Sequence, residues 1–348
     1  MPPRAGEPGD SMSLSYRAFS LDAVGEPFKI RQMDLPGLKT GEVAVRLQAA
    51  SLNHRDLWIQ KGQYAGLKFP IVPGSDGAGT VEKIGFGVDA AWLGRKVVIN
   101  PSLDWGPSQE AQGKDFRILG LPDPGTFAQF VKVPAANLAP MPAHLSFEEA
   151  ASLPLAGTTA YRALFTRGRI APGEKLLITG IGGGVALFLL RFGLAAKARV
   201  FVTSGSDEKL AKAMELGAEG GVNYKHEKWA ESLLEKAGHF DCIIDSAGGP
   251  GFSNLCDLSR PGGRLVFFGA TLGNPQEVPL RKVFWRQLNL LGTTMGSPQD
   301  FEAMIKFVAH TEIRPVIDGV YPFEQADEAL RRMDAGGQFG KLVLRISE

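Results

Sequence analysis

Cysteine is nearly absent: the 348 residues hold two, Cys242 and Cys256. That excludes a disulfide framework and a zinc lobe built from several cysteines, and it suits a reducing, cytoplasmic setting. Histidine is also scarce. The five, His54, His144, His226, His239 and His310, are scattered along the chain, whereas zinc needs about three or four ligands in one place. No metal is therefore expected. No excess charge of either sign exists, with 38 Lys and Arg against 37 Asp and Glu, which argues against nucleic acid or a membrane surface as partner. Long apolar runs are missing too. Residues 176–190 form the most apolar stretch, but glycines interrupt it and it is too short to span a bilayer. The first twelve residues, MPPRAGEPGDSM, have no apolar signal segment and read as a disordered tail, with Met12 a candidate natural start.

Glycine is abundant, with 43 residues, so many tight turns or close backbone approaches are expected. The length favours two domains, because single cores rarely grow past about 250–300 residues. Residues 14–150 read as β-rich: short apolar segments at 42–51, 79–85, 96–100 and 127–134 are separated by Gly and Pro, which suits a barrel-like domain. Residues 101–126 carry turn residues and few apolar ones, and read as a surface loop or lobe. After residue 150 strands and helices alternate, the pattern of a doubly wound parallel sheet with helices on both faces. A helix at 299–311 and a strand at 339–346 follow, and that strand is a candidate to return to the first domain.

The sharpest motif is TGIGGGVA at 179–186, set between an apolar strand and an apolar helix. Glycines there let backbone N–H groups approach a pyrophosphate at a helix N-terminus. The candidate phosphate-binding residues are Gly180, Gly182, Gly183, Gly184 and Val185. The second strand ends in Ser204, where NAD enzymes place an acid for the ribose hydroxyls. Ser204, Ser206 and Lys209 would instead suit a 2′-phosphate, so NADPH is the expected cofactor. Asp207 reads as a helix cap. Thr159 and the loop residues Phe268, Gly269 and Ala270 are candidates for the nicotinamide end. Glu148 and Glu149 read as solvated.

These residues, with the runs VPGSDGAGTVEKIG (72–85), GTFAQFVKVP (125–134), LPLAGTTAYRAL (153–164) and PFEQADEALRRMDAGGQFGKLVL (322–344), resemble the medium-chain dehydrogenase/reductase superfamily along nearly the whole chain. The resemblance implies a GroES-like β-barrel catalytic domain over 1–150 and 298–348, and a Rossmann dinucleotide-binding domain over 151–297. Zinc members carry a Cys where this chain has Asn53, and G-H-E where it has Gly74-Ser75-Asp76. Their third catalytic ligand, near residues 154–157, is also missing. The pattern is closer to the zinc-independent, zeta-crystallin-like quinone oxidoreductase branch. There a lysine and a tyrosine help to hold the 2′-phosphate, which points to Lys209 and Tyr224. The segment 53–64 would then face the nicotinamide, with Asn53 and Tyr64 as hydrogen-bond donors and Trp58 as an aromatic substrate wall. The expected activity is NADPH-dependent, metal-free reduction of quinones or α,β-unsaturated carbonyls by a homodimer. The alternatives are a zinc-independent alcohol dehydrogenase or carbonyl reductase, and a cofactor-binding protein of low turnover.

Overall fold

The computed structural model describes residues 14–347; the N-terminal tail, with Met12, lies outside the described residues. The first half contains strands β1 (Ser15–Ser20), β2 (Lys29–Asp34) and β3 (Glu42–Ser51), then helix α1 (His54–Gln60). Strands β4 (Asp76–Ile84), β5 (Lys96–Ile99), β6 (Ser102–Leu103), β7 (Arg117–Ile118), β8 (Phe130–Pro134) and β9 (Leu138–Pro140) follow. Helices α2 (Phe147–Ala151) and α3 (Pro154–Tyr161) lead out, and α3 runs on into a π-helical turn, Arg162–Arg167.

The alternating region is β10 (Lys175–Ile178), α4 (Gly184–Ala195), β11 (Arg199–Ser204), α5 (Asp207–Glu215), β12 (Gly220–Asn223) and α6 (Trp229–Ala237). It continues with β13 (Phe240–Asp245), α7 (Phe252–Leu258), β14 (Ser259–Phe267), α8 (Leu280–Trp285) and β15 (Asn289–Gly292). Helix α9 (Pro298–Thr311), β16 (Ile317–Pro322), α10 (Ala326–Asp334) and β17 (Lys341–Arg345) complete the order.

Strands β10–β15 form one parallel sheet in the order β12-β11-β10-β13-β14-β15. This is the doubly wound order, with its switch point between β10 and β13. Leu176, Leu177 and Ile178 of β10 are fully buried, as a strand covered by helices on both faces requires. Helix α4 lies close against this sheet because residue 193 is glycine. A Cβ there would stand 2.9 Å from Leu176 Cδ2 and 3.0 Å from Val200 Cγ2.

The second sheet runs β16-β17-β3-β4-β5-β9, with β8 also on β3. Strand β17 pairs antiparallel with β3, Val343 opposite Ser51, so the C-terminal region does return to the barrel. The expected domain boundary at 297 falls just before α9. Phe301, Met304 and Val308 of that helix join the cluster around Leu176 and Ile178, and the chain re-enters the barrel sheet at β16.

Two local expectations are corrected. The cap of α5 is Ser206, whose hydroxyl accepts the Lys209 N–H, while the Asp207 carboxylate accepts from Asn223 Nδ2 at 2.9 Å. Glu148 and Glu149 are not simply solvated: Glu149 accepts the Ser146 N–H at 2.8 Å and pairs with Arg314, and Glu148 pairs with Arg345. The stretch 101–126 is a pinned lobe, with Leu103, Trp105, Leu119 and Leu121 buried. Arg162 holds it, donating to Gln109 O at 2.9 Å and Glu110 O at 2.8 Å.

Candidate active site

A cleft of about 1160 Å³ opens between the two sheets, lined from both. On the parallel-sheet side its floor is the glycine loop. Gly180 (φ +67°) and Gly182 (φ +132°) adopt backbone conformations that strain any residue with a side chain. Helix α4 has Gly183 as its N-cap, with no side-chain cap. Its leading N–H groups therefore lack intrahelical partners and meet the cleft with the positive end of the helix dipole. The loop and helix start fit a pyrophosphate, and the site as a whole fits a nicotinamide dinucleotide.

The Lys209 side chain lies across this loop: a Cβ on Gly182 would stand 2.9 Å from its Cδ. Its Nζ donates to Gly336 O at 2.7 Å, and burial pushes its pKa down. Ser204 ends β11 and accepts the Ser206 N–H at 3.2 Å. Tyr224 lines the same end of the cleft, and its hydroxyl would be 2.7 Å from a Cβ on Gly205. Gly184 and Val185 also line the cleft. The loop after β10 is braced by a residue the sequence did not single out. Asp245 accepts from Thr179 Oγ1 at 2.6 Å and from Gly248 N at 2.8 Å.

At the opposite end, Phe268 and Gly269 line the cleft, together with Thr159 and Met295. Ala270 is exposed and does not line the cleft, although its neighbours Gly269 and Thr271 do. The Thr159 hydroxyl donates to Leu155 O at 2.7 Å, a bond back to the preceding helical turn.

The barrel side brings Asn53, Trp58 and Tyr64 to the cleft, as expected. Asn53, however, is engaged at both ends of its amide. Nδ2 donates to Asp76 Oδ2 at 2.9 Å, and Oδ1 accepts from Lys341 Nζ at 2.8 Å. It is a link in a buried network more than a free donor. Lys341 also donates to Leu52 O at 2.8 Å, and Asp76 Oδ1 accepts the Leu155 N–H at 2.8 Å. The network thus joins β17, β4 and the start of α3. Gly340 N donates to Gly182 O at 3.0 Å, tying the same segment to the glycine loop.

Arg55 was not anticipated either. It is buried, and its Nη1 donates to Ser75 Oγ at 2.6 Å and Leu119 O at 2.8 Å. Its Cζ stands 5.0 Å from the centre of the Tyr64 ring, and its Nε is 3.4 Å from the Tyr64 hydroxyl. A sequence signal existed for Lys341, which precedes three apolar residues in a strand. None marked Arg55, whose helix the structure buries at residues 55–57.

Among the described residues, no group of three or more His, Cys, Asp or Glu stands together in a way that could hold a metal ion. Nor is any helix among them long and apolar enough to cross a membrane.

Two family models match in chain order: the alcohol dehydrogenase GroES-like domain over residues 39–143 and the zinc-binding dehydrogenase model over 184–310. The zinc-type alcohol dehydrogenase-like protein YogA of Leptosphaeria maculans is 36% identical over 340 residues, covering 92% of this chain and 95% of its own. The solved structure of an NAD-dependent alcohol dehydrogenase is 36% identical with a TM-score of 0.89, covering 95% of this chain and 100% of its own. The quinone oxidoreductase of Rattus norvegicus is more distant, at 27% identity over 320 residues, covering 90% of this chain and 91% of its own. The GroES-like barrel, the Rossmann sheet and the dinucleotide cleft between them agree with these matches: the protein belongs to the medium-chain dehydrogenase/reductase family and is an NAD(P)H-dependent oxidoreductase.

Proposed function

We propose that the protein reduces quinones or α,β-unsaturated carbonyls with NADPH and without a metal. The observation that carries this reading is the occupancy of the positions where zinc members keep their ligands. Asn53 Oδ1 accepts an ammonium from Lys341, and Ser75 Oγ accepts a guanidinium from Arg55. A zinc ion there would meet two cations, neutral oxygens and one carboxylate, Asp76, already paired with Lys341, so the donor set does not fit it.

Without a metal, charge developing on a substrate oxygen must be met by fixed donors. Reduction of a plain carbonyl concentrates that charge on one oxygen, which a metal ion stabilises well. In an enone or quinone the charge is spread over a conjugated system. The reduced nicotinamide supplies the hydride when bound. The chain's own residues orient and exclude water: Trp58 forms a wall of the substrate end, Tyr64 presents a phenol, and Thr159 and Phe268 flank the inner end. Ser204 and Lys209 support NADPH over NADH, because neither Ser204 nor its neighbours Gly205 and Ser206 brings an acid to the end of β11. The residue set, Asn53, Trp58 and Tyr64 for the substrate and Lys209 and Tyr224 for the phosphate, belongs to this same proposal.

The relatives named as alcohol dehydrogenases favour a second reading, reduction of simple carbonyls. Steady-state comparison of matched enones, quinones, aldehydes and ketones with NADPH decides between them. A kcat/KM for conjugated substrates well above that for simple carbonyls is expected. The reverse order replaces this reading with the alcohol dehydrogenase one. We further propose a homodimer working in the cytoplasm.

A further inference from the structure

We propose that the Arg55 guanidinium is the seat for the negative charge that develops on the substrate oxygen. The proposal rests on the reductase reading above. Among the described residues, four cationic side chains are less than a tenth exposed: Arg55, Arg162, Arg264 and Lys341. Three have a carboxylate in contact. Arg162 pairs with Asp300 at 2.6 Å, Arg264 with Glu174 at 2.5 Å and Lys341 with Asp76 at 3.2 Å. Among the described residues Arg55 has no carboxylate in contact; its acceptors are the neutral oxygens of Ser75, Leu119 and Tyr64. A buried charge without a counter-ion is costly, and this one lines the cleft beside Trp58 and Tyr64.

The donor count points the same way. A guanidinium has five N–H groups. The two on Nη1 go to Ser75 and Leu119, and Nε–H points to Tyr64. Nη2, with two N–H groups, remains for a ligand. Asp56, the next residue, lies within Coulombic reach, but its Oδ2 takes the Asn53 N–H at 2.8 Å and it makes no ion pair with Arg55. Ser75, which orients the guanidinium, stands where zinc members carry a histidine ligand. A fixed cation thus occupies the neighbourhood in which those relatives use a metal.

In conjugate reduction the hydride pair forms a C–H bond at the β-carbon. The C=C pair shifts toward the carbonyl, whose oxygen becomes the enolate oxygen facing Nη2. Protonation of the α-carbon by solvent restores the carbonyl, so two electrons and two hydrogens are added in all.

The test uses the full-length chain and its Arg55→Met and Arg55→Lys variants. Folding is followed by circular dichroism, NADPH binding by fluorescence, and turnover with 2-cyclohexenone. Removing a preorganised donor of this kind typically lowers kcat by about 10²–10³-fold. A drop of that size in Arg55→Met, with a smaller drop in Arg55→Lys and unchanged NADPH affinity, is expected. A folded Arg55→Met that keeps kcat within about threefold of wild type overturns the proposal. Should Arg55→Met not fold, benzoate, a planar carboxylate that mimics the enolate charge, is titrated calorimetrically into wild-type protein saturated with NADP. Saturable binding that Arg55→Lys weakens supports the proposal, and no binding at tens of millimolar overturns it. If wild type reduces only simple ketones, the conjugate-reduction reading falls, and the same variants are scored on the ketone, where Arg55 would face an alkoxide.

Discussion

Lys341 Nζ and Asp76 Oδ2 stand 3.2 Å apart at the junction of the two domains, with both side chains almost wholly shielded from water. Each has further neutral partners, Leu52 O and Asn53 for the lysine, Ser51 and the Leu155 N–H for the aspartate. The pair therefore fixes β17 against β4 and the first turn of α3. Removing one member of such a pair strands the other charge in the interior, at a cost of about 3–5 kcal/mol. Lys341→Met is expected to lose that much in urea unfolding, whereas loss of the exposed pair Lys306–Glu302 should cost less than about 1 kcal/mol. Equal effects would show that water reaches Lys341.

Arg162 plays the same part for the lobe. It pairs with Asp300, lies 5.1 Å over the Trp105 ring and donates to two lobe carbonyls. In Arg162→Met the lobe should come loose while the sheets persist. Limited proteolysis under native conditions should then cut between residues 106 and 115 much faster than in wild type. An unchanged cleavage pattern would mean that the buried leucines hold the lobe alone.

Asp56 sets a pH dependence. Burial raises its carboxyl from an ordinary 3.8 to about 6. The native state then keeps a proton that the unfolded chain releases. The associated stability is fully present below about pH 4 and is lost as pH rises through about 6, a total of about 3 kcal/mol. Asp56→Asn cannot titrate, so its stability relative to wild type should improve by about that amount between pH 4 and pH 8. Urea midpoints at the two pH values check this, and a constant difference would refute it.

Lys209 should read the 2′-phosphate. Its Nζ must exchange Gly336 O for a phosphate oxygen, a charge-assisted bond of about 1.5–3 kcal/mol. Lys209→Ala is expected to weaken NADPH by about ten- to a hundredfold and NADH far less, by calorimetric titration. Equal weakening of both would move the lysine to the pyrophosphate.

The dimer should form along β15, the edge of the parallel sheet. Beside it α8 exposes Leu280, Phe284 and Trp285, the last 82% accessible, and apolar surface next to an unpaired edge invites a second copy. Light scattering should give a dimer for wild type and a monomer for Phe284→Glu/Trp285→Glu. A monomeric wild type would refute the expectation.

What the sequence made legible was local. The glycine loop could be read because its meaning lies in eight consecutive residues, and the parallel sheet because strand and helix periods alternate. Ala270 belongs to a run that lines the cleft at Phe268, Gly269, Thr271 and Leu272 but skips Ala270 itself. Asn53 was visible as polar, but its partners were not, since Lys341 lies 288 residues away. Arg55 stayed hidden because a charged residue in a short helix looks solvated until Ser75 and Leu119 close over it.

The pairing of β3 with β17 also dictates when the protein can be finished. Ser51 meets Val343, while β8 takes the Glu42–Arg46 end of the same flank of β3, so on the ribosome the Ala49–Ser51 end must wait for almost the entire chain to be made. The nucleotide-binding half, whose strand–helix contacts are mostly local, can close first. Until β17 arrives the barrel carries an open edge in its interior, a template for mispairing with another chain. Slow, sequence-distant closure of that edge is thus the step of biosynthesis at which this protein is most exposed to aggregation.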